Sequence, residues 1–200
     1  MPQITHHWLR NTNKWLAFAP LCMVVAAVAV ALGAPSASAL SQEAEQRLSF
    51  TASDAPWSLT LPARHFVLQQ RKVKPDGTGA YFYLIDEQSM LDVSFFLEPA
   101  TNCKDSRSCR DMIRDLGNPM WEKPRNLKSG EIGDISYFEF LLPSFQGQPI
   151  KQQNMYAEFV VDGYWVDLHI SKALYKPEDH KLFEELVKSI KFETKQGKVG

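Results

Sequence analysis

The chain has 200 residues, 44% of them hydrophobic, and its 22 Lys and Arg nearly balance 23 Asp and Glu for a net charge of −1. Neither sign is blocked along the chain, so bulk electrostatics draws it neither to nucleic acid nor to an anionic membrane. The length suits one domain with a sizeable hydrophobic core once a leader is set aside.

The leader comes first. "MPQITHHWLRNTNK" is polar and basic, "WLAFAPLCMVVAAVAVALG" is apolar, and "APSASA" supplies small residues ending in Ala37-Ser38-Ala39. This three-part layout predicts a secretory signal over residues 1–39, cleaved after Ala39. The alternative is an uncleaved anchor, since an apolar run of about 18 residues just spans a bilayer. Cleavage would leave Leu40 to Gly200, with no stable membrane insertion and a net charge of about −3, because Arg10 and Lys14 go with the leader and no acid does. Of the three cysteines, Cys22 lies in the apolar run, which leaves Cys103 and Cys109 in "CKDSRSC". An even count in an exported chain reads as a disulfide. A redox pair would sit closer, as Cys-x-x-Cys, and a zinc site would need two more ligands.

Residues 40–55, "LSQEAEQRLSFTASDA", are polar with few anchors and read as a mobile lead or one weak helical turn, so the domain is expected over 56–193. From Trp57 the pattern becomes a β-meander: "WSLTL" up to Pro62, "HFVLQQRKV", the turn "KPDGTG", "AYFYLID", the turn "DEQS", then "MLDVSFFLE". Gly77 and Gly79 sit in a hairpin turn with no helix after them, which argues against a phosphate loop. Cys109, Met112, Ile113 and Leu116 fall on one helical face, with Asp105 or Ser106 as the cap and Gly117 as the stop.

"VVDGYW" is the strongest local signal. Asp162-Gly163 between alternating runs specifies a two-residue hairpin and fixes the register. Val161, Phe159, Ala157 and Met155 then face Tyr164, Val166, Leu168 and Ile170 as one apolar face. On the other face Val160 meets Trp165, Glu158 meets Asp167, and Tyr156 meets His169. The segment "KPEDHKLFEELVKSIKFE" reads as a closing helix with the stripe Leu182, Phe183, Leu186, Val187 and Ile190, and residues 194–200 as a flexible tail.

The fold class expected is α+β: a mostly antiparallel sheet of about six to eight strands with two main helices, packed as a layered sandwich. The meander ending in "MLDVSFFLE", the helix near "CRDMIRDLG", the aromatic hairpin and the close "LVKSIKF" resemble the PsbP-like fold, which includes Mog-type Ran-binding proteins and bacterial exported proteins. The resemblance covers most of residues 57–193, rests on element order, implies non-enzymatic binding or assembly roles, and carries over no functional residue.

Asp167, His169 and Ser171 stand at every second position of "DGYWVDLHIS". Same-face residues on one strand point in parallel, and nothing nearby resembles a nucleophile elbow, so no catalytic residue is assigned. Glu158, Asp167 and His169 are the candidate metal or acid/base group, set against the plainer reading of a solvated sheet face or a cluster satisfied by a neighbouring Lys or Arg. His65 and His180 read as ordinary packing or surface residues. No cofactor is expected, and the sequence singles out no binding residues. Two functions follow: a periplasmic or secreted, non-catalytic binding or accessory protein whose partner is another envelope or secreted protein, or a small envelope enzyme or divalent-metal binder built on Glu158, Asp167 and His169.

Overall fold

The computed structural model describes residues 46–52, 54–117 and 124–195. Every described residue belongs to one compact unit. The signal segment and its cleavage point lie outside the described residues. Among the described residues no helix is long and apolar enough to cross a membrane.

Ten strands form two antiparallel sheets. β1 (Arg47–Phe50), β2 (Trp57–Pro62) and β10 (Lys191–Thr194) make a small sheet in the order β1-β2-β10. β3 (Val67–Val73), β4 (Ala80–Asp86), β5 (Leu91–Pro99), β6 (Arg125–Ile132), β7 (Ile135–Phe145), β8 (Gln148–Val161) and β9 (Tyr164–Lys172) make a seven-stranded sheet in the order β3-β4-β5-β9-β8-β7-β6. The helices are α1 (Ser106–Leu116) and α2 (His180–Ser189), the latter entered through a 3-10 turn at Pro177–Asp179. The α+β sandwich expected from the sequence is what the chain forms.

Alternation builds the large sheet. In β4 and β5, Phe82, Leu84, Val93, Phe95 and Leu97 are buried while their neighbours are half-exposed, the period-2 signature of one core face. This inner face meets the small sheet and α2 in one cluster that includes Leu59, Leu61, Met155, Leu168, Ile170, Phe183 and Leu186. Most of these have no exposed surface, and each such side chain contributes about 1.5–3 kcal/mol of apolar burial.

Residues 47–50 correct the expectation of a mobile lead. They pair with β2, Phe50 opposite Leu59, and Phe50 packs edge-on against Phe82 and Phe95 at 5.0 Å. Arg47 donates to Thr60 Oγ1, Thr60 O and Ser189 O, tying β1 to β2 and to the end of α2. A four-residue strand carries too few residues to show its period alone, and its order comes from these distant partners. The closing helix is also shorter than the stripe suggested. Ile190 takes extended backbone, and Phe192 leaves the helix for β10, where it meets Trp57 at 4.9 Å.

α1 matches its signals at both ends. Asp105 accepts from Ser108 N at 2.7 Å in a capping box, and Gly117 sits at φ 59. Cys109 on its first turn is bonded to Cys103, with the Cα atoms 5.0 Å apart. Of the expected helical face, Cys109 is buried and Met112 and Ile113 are half-buried, but Leu116 is 52% exposed because the last turn runs past the sheet.

Candidate functional site

The β8–β9 hairpin positions the candidate residues. Asp162 and Gly163 both have positive φ, 48° and 74°, the geometry a tight hairpin turn requires. The register then runs as the sequence dictates: Val161 with Tyr164, Phe159 with Val166, Ala157 with Leu168 and Met155 with Ile170 inward, and Val160 with Trp165, Glu158 with Asp167 and Tyr156 with His169 outward.

The outer face is not the solvated surface expected. α1 packs across β7 and β8. Cys103, Cys109 and Trp165 form one small core with Met112, Ile113 and Val160, and Phe138, Phe140 and Leu142 form another with Ile113 and Tyr156. Glu158 is left with no exposed surface. Trp165 Nε1 donates to Glu158 Oε2 at 2.6 Å. Glu158 Oε1 and Asp167 Oδ1 are buried with no hydrogen-bond partner among the described residues. Two buried acids paired across the hairpin disfavour each other's charge, which favours a proton held by the pair. Burial is the first cause holding both acids above the ordinary carboxylate range. Beyond burial, the Asp167 charge raises Glu158 further and the Glu98 charge raises Asp167, which is pushed up to about 7.

His169 takes a separate role. Its ring stacks on Tyr156 at 4.3 Å and 15°, and Nε2 lies 3.0 Å from Asn154 Oδ1. Asn154 Nδ2 donates to Gln152 O, so Oδ1 is the acceptor and Nε2 carries the proton. Burial pushes the imidazole down to about 4, which keeps it neutral at pH 7. Asp167 and His169 retain some accessible area, but the protein packed around them is dense enough for burial to dominate both. Ser171 is buried one step further along β9, opposite Asn154. The structure thus places Asp167, His169 and Ser171 about 7 Å apart in sequence along one strand, with His169 bonded to Asn154. It brings Glu158 and Asp167 together as an acid pair and leaves His169 outside that pair. Among the described residues, no three His, Cys, Asp or Glu side chains gather closely enough to hold a metal ion.

β9, β5 and β4 continue the outer face beyond α1, and here the side chains are half-exposed. Tyr81 lies beside Phe96 with ring centroids 4.7 Å apart. Ser94 lies directly opposite Tyr83 and two residues along β5 from Phe96, which faces Tyr81, and Asp92 lies two further along on the same face. Burial raises Asp92 above the ordinary carboxylate range and raises both tyrosines, with Asp92 and Asp167 adding to the upward push. "YFY" and "FF" were visible as aromatic runs. Asp92 and Ser94 were not singled out, although alternation in "LDVSFFLE" puts them on the face opposite Leu91, Val93, Phe95 and Leu97.

His180 also departs from its expectation. Its Nδ1 lies 3.4 Å from Glu139 Oε2 and its Nε2 3.5 Å from Glu184 Oε1, and Gln153 Nε2 donates to the same Glu139 oxygen. His180 thereby ties the start of α2 to Glu139 on β7, and Lys172 Nζ, which donates to Ser89 O, lies 3.9 Å from Asp179 Oδ2 at the entry to α2. His65 borders a shallow surface hollow with Val67, Glu87 and Gln88.

These features define an α+β sandwich protein whose outer sheet face is half covered by a helix. No family model matches the chain, and no curated protein matches it. Among solved structures it is similar to cyanobacterial PsbP (CyanoP) from Synechocystis sp. PCC 6803, at 9% identity and TM-score 0.46, over 77% of this chain and 96% of that one. It is also similar to the Saccharomyces cerevisiae Ran-binding protein Mog1p, at 12% identity and TM-score 0.42, over 74% of this chain and 96% of that one. These neighbours belong to the two groups whose element order the sequence resembles.

Proposed function

We propose that the protein is an exported, non-catalytic binding or accessory protein of the cell envelope, acting in the periplasm or outside the cell. Its working surface is the tyrosine half of the outer sheet face. The observation that carries this reading is the contrast between the two halves. α1 seals β7 and β8, while Tyr81, Tyr83 and Phe96 on β4 and β5 stay half-exposed. Tyrosine offers large contact area with a polar tip at low conformational cost, which is why it is enriched where proteins bind one another. The Cys103–Cys109 bond supports an oxidising compartment. The acids of the Glu158–Asp167 pair are raised above the ordinary carboxylate range, but Glu158 has no exposed surface through which a substrate could reach it. Its role in this reading is structural.

The test is affinity capture from the protein's own cell envelope, comparing wild type with Tyr83→Lys. A partner recovered in stoichiometric amount with wild type, and lost with a Tyr83→Lys protein of unchanged melting temperature, supports the reading. Equal recovery by both proteins, or activity toward a small substrate in the purified wild type, overturns it.

A further inference from the structure

We propose that α1 is a proton-controlled cover, closed on β7 and β8 while the Glu158–Asp167 pair holds a proton and lifted from them when both acids are ionised. The geometry starts from a row of side chains across the outer face. Lys72, Tyr81, Phe96, Asp167, Glu158 and Ser136 stand opposite one another in turn on β3, β4, β5, β9, β8 and β7. α1 lies over the Glu158 end of this row. Its Cys109, Met112 and Ile113 pack with Trp165, Val160 and Tyr156, the side chains that bracket the pair along β9 and β8. None of the three α1 side chains offers a strong hydrogen-bond donor. Glu158 keeps no exposed surface, and Glu158 Oε1 and Asp167 Oδ1 have no hydrogen-bond partner among the described residues.

The charged groups around the pair do not offset it. Of the α1 arginines, Arg107 engages Glu131, Arg110 engages Asp111, and Arg114 engages Asp111 and Asp115. On β5, Glu98 is a further acid, itself paired with Lys74. Lys72 has its own interaction and stands three strands from Asp167, roughly 14 Å away. His169, next on this face of β9, is neutral at pH 7 and lies against Asn154. Tyr81, Tyr156 and Ser136 bring hydroxyls. When the last proton leaves for solvent, two opposed carboxylates under an apolar cover lack both hydration and a counter-charge, and lifting the cover restores hydration. α1 yields before the hairpin does. β8 and β9 are paired on both sides within the sheet, whereas α1 meets it through side chains. The Cys103–Cys109 bond and the Arg107–Glu131 pair fix the first turn of α1, while Leu116 in its last turn is exposed. The last two turns are therefore the part that lifts, and they uncover Phe138, stacked on Tyr156 at 5.0 Å. Burial already holds both acids above the ordinary range, Asp167 at about 7, which sets the change at neutral pH and above.

The experiment follows hydrogen–deuterium exchange by mass spectrometry in protein purified, with its disulfide intact, from cells expressing the full chain. Rates are measured from about pH 6 to about pH 9 and corrected for the intrinsic pH dependence of amide exchange. In wild type, α1 peptides are expected to lose at least about tenfold in protection over this range, and to stay at least about tenfold less protected than β8 and β9 peptides at every pH, as local opening requires. Glu158→Gln with Asp167→Asn, which keeps both shapes without the charges, is expected to hold α1 protection within about twofold throughout. Constant α1 protection in wild type, α1 unprotected already at about pH 6, or α1 exchanging no faster than β8 and β9 overturns the inference, and these outcomes need no variant. The same loss of α1 protection in a folded double variant overturns it as well.

Discussion

Replacing the buried acids together, Glu158→Gln with Asp167→Asn, isolates what their raised pKa values do for stability. The folded chain holds Asp167 at about 7 against an ordinary 3.8, and holds Glu158 well above 4.5. A raised acid pKa means that the folded state keeps protons the unfolded chain has already released. Its stabilising contribution is complete below about pH 3.8 and is lost as the pH climbs to about 7. From about pH 5 to about pH 7, Asp167 alone crosses roughly two units, worth about 3 kcal/mol, and Glu158 adds loss of the same sign. His169 runs the other way. Its pKa falls from 6.5 to about 4, so its contribution is present above 6.5 and is lost as the pH falls toward 4. Burial alone causes that shift, so it is common to both proteins and cancels in their difference. Urea unfolding followed by tryptophan fluorescence, at several values between about pH 5 and about pH 8, gives the difference directly. The double variant is expected to gain on the wild type by about 3 kcal/mol over the range. A gap that stays constant within about 0.5 kcal/mol would refute the raised acidities of the buried pair.

Leu168 has no exposed surface, so Leu168→Ala is expected to cost about 2–5 kcal/mol in the same unfolding assay. His169→Ala is expected to cost about 1–2 kcal/mol, more than a solvated face would imply, because it removes the Tyr156 stack and the shorter of the two hydrogen bonds to Asn154 Oδ1. Asp105→Ala removes the α1 cap and is expected to lower stability by about 1 kcal/mol, read as a lower urea midpoint with unchanged slope. Protein recovered from the envelope should show no titratable thiol from Cys103 and Cys109 before reduction and two after it, and mass spectrometry should find Leu40 at its amino terminus.

The hairpin was legible because its signal is local. Asp162-Gly163 fixes the turn, and a period of two then assigns every side chain of β8 and β9 to a face. The same logic could not say what covers the outer face. That depends on α1, about fifty residues earlier in the chain, folding back over β7 and β8. The charges of Glu158 and Asp167 read as solvated because polar residues on a strand ordinarily are. β1 was missed for a related reason: "RLSF" becomes a strand through β2, Phe82, Phe95 and the end of α2, none of which its own four residues announce. Ile190 continued the helical stripe by spacing, yet the helix stops before it, and pairing with β2 draws the residues that follow into β10. Asp92 was overlooked because the aromatic runs around it dominated the strand, although its place on the outer face follows from alternation alone.

The binding account stands most directly on the tyrosine face itself. A photoreactive phenylalanine analogue placed at position 83, and separately at the exposed Leu174 as a control, can be irradiated in living cells that export the protein. The account predicts one discrete cross-linked product from position 83, of defined partner mass, and none from position 174. The same products from both positions, or none from position 83, would contradict it.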